Sequence, residues 1–150
     1  MQVKDEIMIS GWRDGGLRMH EVSSSKQIWE ICNTHKNGIE SLELSSDMRF
    51  IATGGGDGVA RIWELRSRQM ISNLKEHANK ITKVKILPSN TMMITSSRDK
   101  SLLLWDLVNI LEILFLGNRK KSFFLLFING RSEQLRFLVG LGSPHIYRAG

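Results

Sequence analysis

The sequence has little of what stabilises small secreted or fibrous proteins. Its 150 residues include one cysteine and two prolines. Cys32 cannot form an internal disulfide, so a reducing compartment is expected, and a buried, unreactive thiol is the simpler interpretation. With 41% hydrophobic and 24% charged residues, the composition is that of a globular protein. It excludes a collagen-like, a disulfide-rich or a wholly disordered chain.

The sequence also lacks a long apolar run. The first ten residues carry Lys4, Asp5 and Glu6 and do not resemble a secretory signal. The most apolar window, residues 102–116, contains Asp106 and Glu112 and is too short to span a bilayer. No Asn-x-Ser/Thr sequon is present. A soluble cytoplasmic protein without a membrane partner is therefore expected.

What the sequence does contain is an internal repeat. Three segments align without gaps, and their aspartates Asp14, Asp57 and Asp99 are 43 and 42 residues apart. The segments are MISGWRDGGLRMHEV (8–22), IATGGGDGVARIWEL (51–65) and MITSSRDKSLLLWDL (93–107). Upstream, His35 and His77 begin two further matching segments. A period of this length indicates a repeat architecture.

Each repeat is predicted to form four short strands. The segments IESLEL and ITKVKI alternate apolar and polar residues, as half-buried strands do. Asp14-Gly15 and Asp57-Gly58 are typical of tight hairpins, whereas Asp99-Lys100 lacks the glycine. Segments 26–31 and 68–74 provide fourth strands. Four strands in about 42 residues are typical of one blade of a β-propeller.

Polar residues keep fixed offsets within each repeat. The sets are His35, Thr53, Asp57 and Trp63, then His77, Thr95, Asp99 and Trp105, and in the first repeat Ser10, Asp14 and His20. A His, Ser/Thr and Asp set could be a hydrolase triad. Because a catalytic triad does not recur every 42 residues, a structural hydrogen-bonded network is the preferred interpretation.

These residues resemble the WD40-repeat β-propellers, and the resemblance covers residues 1–107. It implies an all-β fold: a partial propeller of about 2.5 four-stranded blades, divided into a partial blade (1–33) and blades 34–75 and 76–107. In that family the four residues form a buried network in each blade. The sequence departs from the family pattern at Trp63-Glu64, which replaces Trp-Asp, and at His20, which replaces the first Trp.

The resemblance implies a non-catalytic scaffold that binds proteins through the loops near the leading histidines. The candidate partner-binding residues are Arg13, Lys36, Asn37, Asn79 and Arg98. Several phrases, among them GWRDGG and GGGDGVARIW, resemble members of the family associated with cilia and flagella. That resemblance implies tubulin or axonemal proteins as partners and an axonemal location. The alternative is a substrate-receptor or signalling adaptor, such as a ubiquitin-ligase or G-protein-β-like propeller.

Other functions find little support in the sequence. Gly54 to Gly58 could suggest a dinucleotide loop, but a strand rather than a helix is predicted to follow it. No P-loop can be read, and the histidines and Cys32 lack metal-ligand spacing, so no enzyme, cofactor, small-molecule substrate or metal is expected. Lys80, Lys83 and Lys85 stand where the previous repeat has Glu40 and Glu43, which does not specify a basic groove for nucleic acid.

The repeat ends abruptly at residue 108. The next leading His and turn Asp are due at Arg119 and Leu141 and are absent. Segment 108–150 has six basic and two acidic residues, a charge of +4 out of the total +6. It is interpreted as a non-conforming basic and hydrophobic tail: a degenerate blade, a membrane-surface segment or, as favoured here, sequence from outside the family's reading frame. Its run Arg119-Lys120-Lys121-Ser122 is either a phosphate-binding or modified segment or, more simply, a solvated loop.

Overall fold

A computed structural model describes residues 1–4 and 6–108 and the backbone of three later strands, 123–127, 136–141 and 143–148. The described elements form three antiparallel sheets. The run Arg119 to Ser122 lies outside the described residues. No helix of the described part is long and apolar enough to cross a membrane.

The first sheet, blade 1, contains four strands in the order β1-β2-β3-β4. They are β1 (Gln2–Lys4), β2 (Ile7–Gly11), β3 (Leu17–Glu21) and β4 (Gln27–Ile31). The sequence predicted a partial blade here. The sheet is complete in strand number because the three residues of β1 pair with Ile7 to Ile9.

Blade 2 repeats this order, and its first two strands are longer than those of blade 1. It consists of β5 (Ile39–Leu44), β6 (Phe50–Gly55), β7 (Ala60–Glu64) and β8 (Met70–Leu74). The hairpin between β6 and β7 turns at Gly58, whose φ of +75° suits glycine. The segment IESLEL forms β5, as the sequence predicted.

Blade 3 begins with β9 (Ile81–Ile86), β10 (Met92–Ser97) and β11 (Ser101–Asp106). Its sheet continues through β12 (Phe123–Phe127), β13 (Arg136–Leu141) and β14 (Ser143–Arg148), so it has six strands. β12 pairs with β11 in the place that β4 and β8 hold in the other blades. The division of the chain at residue 108 stays a prediction.

The core lies between the blades as two layers of apolar side chains. Between blades 1 and 2 the buried residues are Ile9, Leu17, Met19, Trp29, Leu42, Ile51 and Trp63. Between blades 2 and 3 they include Ala52, Ile62, Leu74, Val84, Met93 and Trp105. Each of these layers is therefore formed by two neighbouring blades, as in repeat architectures. The fold is the all-β, partial propeller that the sequence predicted.

Candidate functional site

The repeated polar residues of blade 2 meet in one buried network. His35 enters before β5, Thr53 lies on β6, and Trp63 lies on β7. The indole Nε1 of Trp63 is 3.0 Å from Thr53 Oγ1, and His35 Nε2 is 2.9 Å from the same oxygen. His35 Nδ1 lies 2.9 Å from Asp57 Oδ1. The structure brings all four residues together.

Blade 3 repeats the arrangement. Trp105 Nε1 donates to Thr95 Oγ1 at 2.9 Å, and His77 Nε2 is 2.8 Å from that hydroxyl oxygen. His77 Nδ1 contacts Asp99 Oδ2 at 2.9 Å and Ser101 Oγ at 3.0 Å. Ser101 adds a member that the repeat analysis did not include.

The chemistry of the groups fixes the direction of these hydrogen bonds. An indole N–H only donates and an ionised carboxylate only accepts. Thr53 Oγ1 therefore accepts from Trp63 and donates to His35 Nε2, while His35 Nδ1–H donates to Asp57. Thr53 is fully buried. Its hydroxyl thus serves as an internal link and is shielded from any substrate, unlike the nucleophile of a hydrolase.

The surroundings of the network favour a neutral His35 and ionised Asp57 and Asp99. Burial lowers the pKa of His35, and the nearby charge of Arg61 adds to this effect, whereas Asp57 opposes it. Burial alone would raise the pKa of Asp57, but hydrogen bonds from His35 and Arg61 outweigh it and lower the pKa. For Asp99, burial is likewise outweighed by hydrogen bonds from Ser101, His77 and Ala78, which lower the pKa to about 2.

An arginine four residues after the turn aspartate joins the network in two blades. Arg61 Nη1 is 2.9 Å from Asp57 Oδ2 and contacts His35 Nδ1. Arg18 Nη2 is 2.7 Å from Asp14 Oδ2 and also pairs with Glu30. Sequence reasoning missed both arginines. They could have been found from the aligned segments, because each stands four residues after the turn aspartate. Blade 3 has Leu103 at this position.

Blade 1 departs from the expected network at His20. The structure places His20 beside Met8, at the position that Trp63 holds beside Ile51, but an imidazole is too short to replace an indole there. His20 Nδ1 is buried without a hydrogen-bond partner. The expectation that His20 joins Ser10 and Asp14 is therefore wrong.

Trp12 closes the network of blade 1 instead. Its Nε1 donates to Ser10 Oγ at 2.9 Å, and Arg18 stacks over its ring at 4.9 Å from the centroid. Arg18 in turn holds Asp14. In the aligned repeats Trp12 corresponds to Gly55. In blade 2 His35 packs against Gly55. The indole thus occupies the region of a leading histidine.

The candidate partner-binding residues lie at one end of the blades. All five are exposed: Arg13, Lys36, Asn37, Asn79 and Arg98. One backbone hydrogen bond joins the loops of blades 1 and 2, from Ile39 N to Trp12 O at 3.0 Å. Two others lie within a blade: Gly56 N donates to Gly38 O in blade 2, and Arg98 N donates to Lys80 O in blade 3, each at 3.0 Å. Backbone bonds therefore hold each of these loops at the end of its own blade, and the loops of blades 1 and 2 are also bonded to each other.

The glycine-rich segment and the lysines of blade 3 have structural roles. Gly54 to Gly58 lead into β7, a strand, so they form a hairpin rather than a nucleotide-binding turn. Within the described ranges, no three His, Cys, Asp or Glu side chains are grouped to hold a metal ion. Lys80 Nζ pairs with Glu40 at 3.0 Å, and Lys85 pairs with Glu43, so these charges link blades 2 and 3.

Comparison with known proteins agrees with this geometry. The family model "WD domain, G-beta repeat" matches residues 25–64 and 68–106, which is more than half of the chain. Each match begins before the outer strand of one sheet and ends on the third strand of the next, β4 to β7 and β8 to β11. The matched unit is therefore offset by one strand from the folded blade.

Several curated proteins are similar in sequence to part of this chain. Cilia- and flagella-associated protein 52 of Homo sapiens is 29% identical over 105 residues, and that of Mus musculus is 30% identical. These alignments cover 69% of this chain and 17% of each relative, so the chain spans about a sixth of their length. Pre-mRNA-processing factor 19 homolog 2 of Arabidopsis thaliana is 36% identical over 72 residues, which are 48% of this chain and 14% of that protein. With two matched repeats and a buried His–Thr–Asp–Trp network in each, the chain belongs to the WD40-repeat family.

Proposed function

We propose that this chain is a non-catalytic protein-interaction module of a cilium- or flagellum-associated protein, and that it binds partners at the loop end of its blades. One observation carries the proposal. The polar residues of the networks in blades 2 and 3 are buried or half-buried and bonded to one another, whereas the candidate partner-binding residues of the loop end are exposed, on loops that backbone hydrogen bonds hold in place. The network is therefore suited to stabilise the blades, and the loop end is suited to contact a partner protein.

The chemistry of the loop end favours an acidic partner. Arg13, Lys36 and Arg98 are exposed, and no carboxylate of the described residues pairs with them. A guanidinium presents two parallel donors to a carboxylate, so Arg13 and Arg98 can each bind one in bidentate fashion. Tubulin, which has an acidic surface, and neighbouring axonemal proteins are the partners we propose.

The proposed location is the ciliary or flagellar axoneme. It is supported by the names of the relatives that align with 69% of this chain. A second candidate is an adaptor in another system, because the pre-mRNA-processing relative has a higher identity over a shorter stretch. The repeat network is common to both candidates, so the loop residues must distinguish them.

Co-sedimentation with polymerised tubulin tests the proposal. The full chain is expected to pellet with microtubules, and Arg13→Glu with Arg98→Glu is expected to weaken binding at least about tenfold, since attraction becomes repulsion. The matched control is Lys26→Glu with Arg66→Glu, the same charge change on exposed turns at the opposite end.

Binding that the control pair weakens equally would show only non-specific attraction by positive charge. No binding by the unchanged chain would remove tubulin as the partner. In either case the axonemal proposal loses its support and the adaptor candidate gains.

A further inference from the structure

An Asn-Gly pair lies at the loop end of blade 2. Asn37 and Gly38 stand in the loop between the leading histidine and β5. The aligned loop of blade 3 has Asn79 followed by Lys80, at the same distance from its own leading histidine. Both asparagines are exposed. The two loops therefore present the same amide in two surroundings, with and without a side chain on the next residue.

The carboxamide of Asn37 is free, whereas that of Asn79 is held. No hydrogen bond joins the Asn37 side chain to another described residue. The N–H of Gly38 donates to His35 O at 3.4 Å, which is long for such a bond. In blade 3 the N–H of Lys80 donates to Asn79 Oδ1 at 2.7 Å, and Lys80 Nζ pairs with Glu40 at 3.0 Å. A short hydrogen bond stabilises an N–H against loss of its proton, so the amide after Asn37 is the more reactive one.

The packing of the loop requires the glycine. Gly38 has a φ of +82°, and a β-carbon on it would lie 2.8 Å from Arg13 O in blade 1. A residue with a side chain is strained in this conformation and would collide with that backbone. The same packing therefore leaves no side chain on residue 38 to block the approach of its nitrogen to Asn37.

We propose that Asn37 is a site of spontaneous modification, at which its amide becomes a carboxylate. The nitrogen of Gly38 loses its proton and bonds to Cγ of Asn37, and the side-chain nitrogen takes up a proton and leaves as ammonia. Water then opens the cyclic imide. Breaking the bond from the Gly38 nitrogen to Cγ gives aspartate, and breaking its bond to the backbone carbonyl carbon of Asn37 gives isoaspartate. Water is the co-reactant in both cases.

The new carboxylate changes the charge of the loop end. It adds a negative charge next to the exposed Lys36 and near Arg13, whose backbone lies against Gly38. These cations are the ones that we propose to attract an acidic partner, so modification lowers the attraction. This consequence rests on the proposed function, whereas the modification itself does not.

Isoaspartate also changes the main chain. It inserts a methylene group into the backbone immediately before Gly38. Gly38 O accepts a hydrogen bond from Gly56 N, and Ile39 N donates to Trp12 O, each at 3.0 Å. The longer backbone displaces both bonds, which hold this loop on blade 2 and against blade 1.

Peptide mass spectrometry of the full chain, incubated in neutral buffer, tests the site. Trypsin places Asn37 in peptide 37–49 and Asn79 in peptide 76–80, so the two are measured separately. The other Asn-Gly pair, Asn129-Gly130, falls in peptide 122–131. Digestion in isotopically heavy water marks any conversion that occurs during the digest. Asn37 is expected to convert at least about tenfold faster than Asn79, which corresponds to a barrier lower by about 1.4 kcal/mol.

Isoaspartate is the diagnostic product, because direct hydrolysis of the side-chain amide gives aspartate alone. Isoaspartate at residue 37, formed faster than any product at Asn79, would support the proposal. Equal conversion of the two asparagines, or aspartate without isoaspartate at residue 37, would overturn it.

Co-sedimentation with microtubules tests the consequence for binding. Asn37→Asp and Asn37→Ser both remove the carboxamide, but only the first adds a charge, so their difference isolates the effect of the charge. Asn37→Asp is expected to bind about threefold more weakly than Asn37→Ser, the effect of one surface charge pair. Equal binding of the two variants would contradict the consequence. If the unchanged chain does not bind microtubules, the proposed function fails, and the peptide masses still decide whether Asn37 is modified.

Discussion

A β-carbon on Gly55 would lie 2.0 Å from Nδ1 of His35 and 2.3 Å from Oδ1 of Asp57. The missing side chain makes room for the imidazole and its carboxylate partner. Gly55→Ala is therefore expected to displace His35 and to lower the free energy of unfolding by about 1–3 kcal/mol, the usual range for overpacking. Urea denaturation followed by circular dichroism measures this.

The control for that substitution is Ser97→Ala, at the same place in blade 3, where a β-carbon is already present. It removes the bond that Ser97 Oγ donates to Asn79 O and the bond that it accepts from Asp99 N. A loss for Gly55→Ala no larger than the loss for this control would contradict the packing of His35 against Gly55.

Thr53 links two ring nitrogens that have no other partner within the network. Thr53→Val keeps the shape and removes the hydroxyl, leaving the Trp63 N–H and His35 Nε2 unpaired in a buried site. A loss of about 1–3 kcal/mol is expected for each unpaired group. Thr53→Ser retains the hydroxyl that Ser10 provides in blade 1, and should lose much less in the same denaturation experiment.

Lys100 occupies a turn position where the other blades have glycine. Its φ is +68°, against +80° for Gly15 and +75° for Gly58. Because this region is unfavourable for residues with a β-carbon, Lys100→Gly is expected to stabilise the chain by up to about 1 kcal/mol. Gly58→Ala at the equivalent turn should destabilise it. A lower melting temperature for Lys100→Gly would show that its side chain, rather than its backbone, matters.

His35 should titrate below the ordinary histidine pKa of 6.5, because its burial favours the neutral form. The unfolded chain then takes up the proton first, so stability from this residue is present above about pH 6.5 and is lost as the pH falls below it. NMR titration of the imidazole, assigned with His35→Gln, measures the pKa. Arg61→Leu, which copies Leu103 of blade 3, removes a cation and should raise it; an unchanged pKa would exclude that electrostatic role.

Trp12 is the accessible indole of the chain. It is 48% exposed, whereas Trp29, Trp63 and Trp105 are at most 8% exposed. Acrylamide should therefore quench one fraction of the tryptophan fluorescence, and Trp12→Phe should remove that fraction. Trp12→Phe also deletes the bond to Ser10 Oγ, with an expected loss of about 0.5–1.5 kcal/mol. Quenching that survives the substitution would mean that another indole is accessible.

The sequence predicted the strands and the partners of His35 and His77, because both follow from short-range alternation and a fixed period. It did not predict Trp12 as the donor to Ser10. Alignment by residue type directs attention to His20, whereas side-chain length and the space beside Ser10 decide the contact. Arg61 was missed for a similar reason: the residue at its position differs in blade 3, which has Leu103, and only the fold brings Arg61 next to Asp57 and His35.

The packing of one blade on the next was also beyond periodicity alone. Alternation shows that Ala52 and Ile62 can share a face, but it does not show which neighbour buries that face. The answer depends on how one sheet packs on the next, a contact between residues about 40 positions apart.

The Trp12 contact has a consequence for the order in which the chain acquires structure during synthesis. Ser10, Trp12, Asp14 and Arg18 are within nine residues of one another, whereas the network of blade 2 must bring His35 to Trp63. Closing a shorter loop loses less chain entropy. The first sheet can therefore form its polar contacts as soon as its own residues leave the ribosome. Ile9 and Met19 are then in place for the second sheet to pack against them.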